Sequence, residues 1–289
     1  MKPTSITEKL LFTTIRIETS SSAGQGTGTG YAFSYTTGDN QYPFIVTNKH
    51  VVAGADSGNL YFTRASNGEP LIGNAHRLEI NGGFDGIWHG HPEDNIDVAV
   101  TPLVPLLNNI RPQGTEVFIP PIGNDLIPTE KVLTELDAIE TVTFIGYPNG
   151  IWDTKNFLPI MRRGTTATPI SIDFQGLKQF LIDASVFPGS SGSPVFILNI
   201  GMYTNKDGTT NVSSRLLFLG TVASVFFKQD VNEIKMITQP VVDRPVAISK
   251  QMIDLGIVFK AETVVETIQS FLSKNGLDDQ SASDQDVIE

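Results

Sequence analysis

Residues 10–33 read LLFTTIRIETSSSAGQGTGTGYAF. A β-branched, apolar decapeptide runs into a cluster of Ser and Gly, and a second apolar run follows it, which is the pattern of a strand, a turn and a strand. The alternating Gly24, Gly26, Gly28 and Gly30 suit a twisted hairpin; no helical pattern follows them, so they do not read as a dinucleotide-binding loop. Outward from this stretch the pattern recurs. Further strands are expected at 30–35, 43–47, 59–63, 97–103, 142–147, 180–185, 194–198 and 216–227, separated by turn sequences such as TTGDN, SNGEP, NGGFDG, DFQG and NKDG. Strands do not alternate with long helical patterns, which argues against a parallel α/β sheet and leaves packed antiparallel barrels or a sandwich.

One helix is expected, from Glu262 onward. Val264, Val265, Ile268, Phe271 and Leu272 recur at helical spacing, Lys274 falls in the last turn and Gly276 marks the stop. The Pro-rich stretch 105–131 reads as an irregular connection between two lobes. The expected organisation is therefore an N-terminal lobe at 1–120, a second lobe at 121–260, a helix at 261–275 and an acidic, mobile tail at 276–289.

The 289 residues suffice for one large core or two small lobes, and 40% of them are apolar while 18% are charged. Net charge is −11, and residues 277–289 hold five acids and no base. No cluster of Lys and Arg stands ready to offset phosphates, so neither nucleic acid nor an anionic membrane surface is an expected partner. Cysteine is absent, which excludes disulfides, a thiol nucleophile and thiolate-bound zinc. The N-terminal stretch lacks the apolar core of a secretion signal and no run is long enough to span a bilayer, so a cytoplasmic location is expected.

The chemistry-bearing segment is FPGSSGSPVF at 187–196. Gly189, Gly192 and Pro194 surround Ser191, allowing a tight backbone whose successive N–H groups face one point. Acyl transfer needs donors aimed at a carbonyl oxygen that becomes negative, and the N–H groups of Gly189 and Ser191 could supply them. Taken alone, such a segment equally suits a plain Gly/Ser connection between strands. A serine is inert without a base. His50 ends the apolar run FIVTNKH at a core edge, and Asp97 opens the run DVAV, where a buried carboxylate would need a partner such as an imidazole N–H. Asp94 competes with Asp97 for that role. His89 and His91 in WHGHPED, with Asp94 and Asp97 nearby, also allow a metal-cluster reading, but His-x-His in a polar loop is usually solvated surface, and no metal or other cofactor is expected.

The chain order His50, Asp97, Ser191 resembles the trypsin/chymotrypsin family of serine proteases. TNKHVV resembles the family's histidine motif, DVAV its aspartate motif and PGSSGSPV its nucleophile motif. GTGTGYAF at 26–33 is similar to the strand before the histidine strand, and FLGTVASV at 218–225 to the strand that pairs with substrate. The likeness runs from about Leu10 to Leu272. It implies an all-β fold of two packed antiparallel six-stranded β-barrels, chymotrypsin-like, with the site between them, to which the C-terminal α-helix is added. It further implies a catalytic triad of His50, Asp97 and Ser191, an oxyanion hole from Gly189 and Ser191, and a peptide or protein substrate.

Departures refine the likeness. Ser190 stands where the secreted digestive members carry Asp, and the cleaved Ile-Val-Gly-Gly start is missing, so activation by cleavage is not expected. The pattern is closer to bacterial HtrA-type peptidases, without the PDZ domain that follows in those proteins. By the same likeness Ser185, Val186 and Phe187 form one wall of the specificity pocket and Ala223, Ser224 and Val225 the other. With no acid among them, cleavage is expected after a small or medium apolar P1 residue. The alternative is a catalytically silent protease fold that captures peptides without turnover. An esterase of the α/β-hydrolase type is disfavoured, because its triad runs Ser, Asp, His.

Overall fold

The computed structural model describes residues 2–228 and 251–277, with backbone only at 113, 224–228 and 251–253. The first lobe opens with a short helix α1 (Ile6–Leu10). Strands β1 (Thr14–Ser21), β2 (Gly24–Thr37) and β3 (Asn40–Thr47) follow, then a single helical turn α2 (Lys49–Val52). Next come β4 (Ser57–Ser66), β5 (Glu69–Asn81), the two-residue β6 (His89–Gly90) and β7 (Ala99–Pro102). Helix α3 (Leu103–Ile110) and two more two-residue strands, β8 (Glu116–Val117) and β9 (Ile122–Gly123), complete the lobe. Six longer strands thus carry the sheet, in the order β5-β4-β1-β2-β3-β7, and β6, β8 and β9 extend it to nine.

The second lobe begins with helix α4 (Glu130–Glu135), β10 (Thr141–Gly146), β11 (Ile160–Thr166) and β12 (Gln179–Asp183). It continues through β13 (Pro194–Asn199), a small hairpin of β14 (Tyr203–Thr204) and β15 (Thr210–Asn211), then β16 (Arg215–Lys228) and β17 (Gln251–Lys260). Strands β10-β11-β12-β17-β16-β13 close into a six-stranded barrel, which removes every sheet edge. Helix α5 (Ala261–Lys274) follows. Among the described residues no helix is long and apolar enough to cross a membrane.

The alternation read from the sequence fills three cores. Ile15, Ile17, Ala32, Ile45, Leu60 and Phe62 pack inside the first lobe, and Val142, Phe144, Phe180, Val195 and Val258 inside the second. A third cluster lies between the lobes. There Tyr31 and Phe33 of β2 meet Phe218 of β16 with ring centroids 5.6 and 5.7 Å apart, and Val264, Ile268 and Leu272 of α5 close the cluster. The Tyr31 hydroxyl and Thr221 Oγ1, 2.7 Å apart, satisfy each other in that apolar seam; burial raises the phenol's pKa well above its usual value.

Three local readings are corrected. The strand expected from residue 10 begins at Thr14, because Leu10 ends α1. That helix starts in a capping box, with Ser5 Oγ accepting from Glu8 N–H at 3.2 Å and Glu8 accepting from Ser5 N–H at 3.1 Å. The strand expected through 103 stops at Pro102, where α3 begins. The stretch 105–131 is not wholly irregular: Pro105 falls in the first turn of α3, where a missing N–H costs nothing, and β8 and β9 join the first sheet. Of the acidic tail, residues 278–289 lie outside the described residues.

Candidate functional site

Strand β3 delivers the first side chain. It ends at Thr47, and Asn48, extended at φ −94° and ψ 151°, turns the chain into α2, which carries His50. Asp97 sits two residues before β7, the strand paired with β3, so the sheet brings both residues to one end. Asn48 Nδ2 donates to the Asp97 carbonyl at 2.6 Å, and the His50 backbone N–H donates to Asp97 Oδ1 at 3.0 Å. The remaining carboxylate oxygen, Oδ2, lies 2.5 Å from His50 Nδ1. A carboxylate there accepts from Nδ1–H, and in the neutral ring with that tautomer Nε2 is the lone-pair nitrogen. Asp94 makes no hydrogen bond to His50.

The loop behind Asp97 is tied to α5. His91 N–H donates to the Val98 carbonyl at 2.8 Å. The ring of His91 is buried, its Nδ1 accepting from Glu93 N–H at 3.0 Å and its Nε2 facing Glu266 of α5 at 3.2 Å. His89 Nε2 lies 3.1 Å from Ser270 Oγ, and burial, with Lys274 nearby, lowers its pKa. Both rings therefore turn to the helix and not to each other, and among the described residues no group of three His, Asp or Glu side chains could hold a metal ion.

Ser191 comes from the turn between β12 and β13. Its carbonyl accepts from Thr29 N–H of β2 at 2.9 Å, and the Thr29 carbonyl accepts from Thr47 Oγ1 at 2.7 Å. Two hydrogen bonds thus link the backbone of Ser191 to the strand end that carries His50. This close approach requires glycine at 192, where φ is +86° and a Cβ would lie 1.8 Å from the Thr29 carbonyl oxygen. The Ser191 hydroxyl donates to the Ala223 carbonyl at 2.9 Å; no hydrogen bond joins it to His50 in this structure. The sequence-derived trio is thus bonded as a pair, His50 with Asp97, and Ser191 stands beside it in a different hydrogen bond.

The turn preceding Ser191 is fixed from behind. Asn149 N–H donates to the Pro188 carbonyl at 2.5 Å. The peptide is trans, so its other end, Gly189 N–H, faces away from that partner. Gly189 has φ +86°, and its carbonyl accepts from Thr29 Oγ1 at 2.8 Å while that same oxygen accepts from Tyr147 N–H at 3.1 Å. Ser190 N–H closes onto the Phe187 carbonyl at 2.9 Å. The N–H groups of Gly189 and Ser191 donate to no described residue. Burial pushes the Tyr147 phenol up to about 12.

The expected pocket residues fall as follows. The Ser185 carbonyl accepts from Arg162 Nη1 of β11, and the Phe187 ring lies under the same guanidinium, 5.0 Å from centroid to Cζ. Val186 is buried, packing where a side chain at Gly256 of β17 would stand. Ala223 is buried on β16 and lends its carbonyl to Ser191. The side chains of Ser224 and Val225 lie outside the described residues; their backbones pair with Ile257 and Gly256. Sequence reasoning missed Thr29, Asn48, Tyr147, Asn149 and Arg162. Of these only Asn48 carries a local signal, its place inside TNKHVV.

Residues 28–199 match the model of the trypsin-like peptidase domain. No curated protein matches the sequence. Among solved structures, the serine endoprotease from Yersinia pestis is 15% identical with a TM-score of 0.47, over 95% of this chain and 69% of that one. An inactive mutant of Rv3671c from M. tuberculosis is 15% identical with a TM-score of 0.45, over 93% of this chain and 95% of that one.

Proposed function

The chain belongs to the trypsin-like peptidase domain family, and on that premise we propose that it is a serine endopeptidase working through a triad and an acyl-enzyme. The observation that carries the reading is the His50–Asp97 pair, 2.5 Å apart, which holds one imidazole tautomer with its other nitrogen basic. In the proposed cycle a rotation about χ1 takes Ser191 Oγ from the Ala223 carbonyl to His50 Nε2. Oγ attacks the scissile carbonyl as Nε2 takes its proton, and Asp97 stabilises the imidazolium. The carbonyl oxygen, now negative, receives the N–H groups of Gly189 and Ser191. His50 returns the proton to the leaving amine, and water, deprotonated by His50, cleaves the ester in the same way.

The P1 side chain is assigned to the space between 185–187 and 223–225. Val186, Phe187 and Ala223 give it an apolar character and no acid belongs to the set, which supports a small or medium apolar P1 residue. The backbone of β16 at 223–225 suits addition of the substrate as a further strand. One observation favours a second reading, a latent peptide-binding module: the Ser191 hydroxyl is bonded to Ala223 and not to His50. Cleavage of casein or a peptide library by the purified chain, against Ser191→Ala, separates the two. Turnover by the natural chain with loss of about 10⁴-fold or more in the variant supports the protease; equal rates refute it.

A further inference from the structure

Arg162 is the one partly buried cation of the second lobe whose charge meets no carboxylate among the described residues. Arg215 reaches Glu140, Lys178 reaches Glu266 and Lys260 reaches Asp173. Arg162, on β11 opposite Phe144 of β10, instead donates from Nη1 to the Ser185 carbonyl and places its guanidinium 5.6 Å from the Phe144 centroid and 5.0 Å from that of Phe187. Desolvating a cation for a backbone carbonyl and two ring faces costs free energy that a carboxylate partner would offset more fully. What this arrangement does provide is a planar fork clamped on a short stretch of chain.

That stretch is otherwise lightly held. Ala184 N–H bonds to Asp254 at 2.9 Å and Pro188 O to Asn149 at 2.5 Å, but between them the N–H groups of Ser185, Val186 and Phe187 make no backbone hydrogen bond to a described residue, and among the described residues Arg162 alone reaches the Ser185 carbonyl. Phe187 is followed directly by Pro188 and Gly189, whose peptide orientation decides whether an N–H faces the site. We propose that Arg162 is a positioning residue: its guanidinium pins residues 185–187 from the barrel side and thereby sets the Gly189 N–H for the oxyanion. The inference deepens the protease reading and rests on it.

The test uses the full chain with Arg162→Met, which keeps the stem but not the fork, and Arg162→Lys, which keeps charge and one donor. Three quantities are compared: kcat and KM on one peptide substrate, affinity for a peptide aldehyde whose adduct needs the oxyanion donors, and hydrogen exchange of the peptide covering 185–192. The expected result for Arg162→Met is a fall of about tenfold or more in kcat and in aldehyde affinity, bounded by the about 10²–10³ lost with an oxyanion donor. KM should stay within about threefold, exchange at 185–192 should quicken, and exchange in the first lobe should not change. Arg162→Lys should recover part of the loss, and it decides the matter alone should the Met variant not fold. Wild-type kcat, aldehyde affinity and exchange in the variants overturn the brace while leaving the protease reading intact. A natural chain that cleaves nothing and binds no aldehyde overturns the protease reading, and the exchange measurement then still decides whether Arg162 holds the segment.

Discussion

Thr29→Val is the substitution that separates the site from its support most cleanly. Valine keeps the β-branched shape and the strand backbone, so Thr29 N–H still reaches the Ser191 carbonyl at 2.9 Å. What disappears is Oγ1, a fully buried atom that donates to the Gly189 carbonyl at 2.8 Å and accepts from Tyr147 N–H at 3.1 Å. Two buried backbone groups thereby lose their partner, at about 1–3 kcal/mol each, and relaxation of the turn makes the sum less than additive. An overall destabilisation of about 2–4 kcal/mol follows, read as a fall in Tm of roughly 3–7 °C for a chain of this size. Because the lost bond to the Gly189 carbonyl anchors the Gly189–Ser190 peptide, next to the plane that carries the Gly189 N–H, kcat should drop about tenfold to a hundredfold, short of deleting the oxyanion donor itself, with KM nearly constant. Calorimetry and steady-state kinetics on the same preparation give both numbers, and Thr29→Ser should restore most of each. A Val variant with wild-type Tm and kcat would refute the reasoning, as would a Ser variant no better than Val.

Two other perturbations follow from the same turn. Gly192→Ala places a Cβ 1.8 Å from the Thr29 carbonyl oxygen at a φ of +86°, so the lobes must part there; the variant should lose more than about 3 kcal/mol and its activity, and a soluble, active alanine enzyme in urea titration and assay would contradict this. Tyr147, whose phenol is pushed up to about 12 by burial, predicts an alkaline limb. Between pH about 10 and about 12 the unfolded chain has released a proton that the folded chain still holds, so stability falls as pH rises, by up to about 3 kcal/mol from this group. Tyr147→Phe, which gives up only a 3.5 Å contact to the Thr14 carbonyl, should flatten that limb in urea titrations; an unchanged slope would assign it elsewhere.

How much of this was legible depends on whether the deciding signal is local. TNKHVV, DVAV and FPGSSGSPVF each combine an ionisable or nucleophilic residue with a core edge or a glycine-permitted turn, so His50, Asp97 and Ser191 could be singled out from a few neighbours. The structure bonds the first two to each other. Thr29, Tyr147 and Arg162 were not legible, because their roles are contacts between residues 118, 160 and 23 positions apart. Nothing beside Arg162 in IMRRGTT distinguishes a brace from a solvated arginine, and Arg163, its neighbour, is exposed. Strand β11 itself was missed for the same reason, two adjacent arginines masking the alternation. The capping box SITE at 5–8 was readable and would have moved the first strand to its observed start. Two-residue strands such as β8 and β9 leave no periodicity to read.

The central claim, that Ser191 is an activated nucleophile, is tested most directly by exposing the natural chain, Ser191→Ala and His50→Ala to a fluorophosphonate and measuring intact mass and the modified peptide. The account predicts one adduct on the natural chain, located on Ser191 and formed rapidly at neutral pH, with none on either variant. An unlabelled natural chain, or labelling at the same rate without His50, would contradict it.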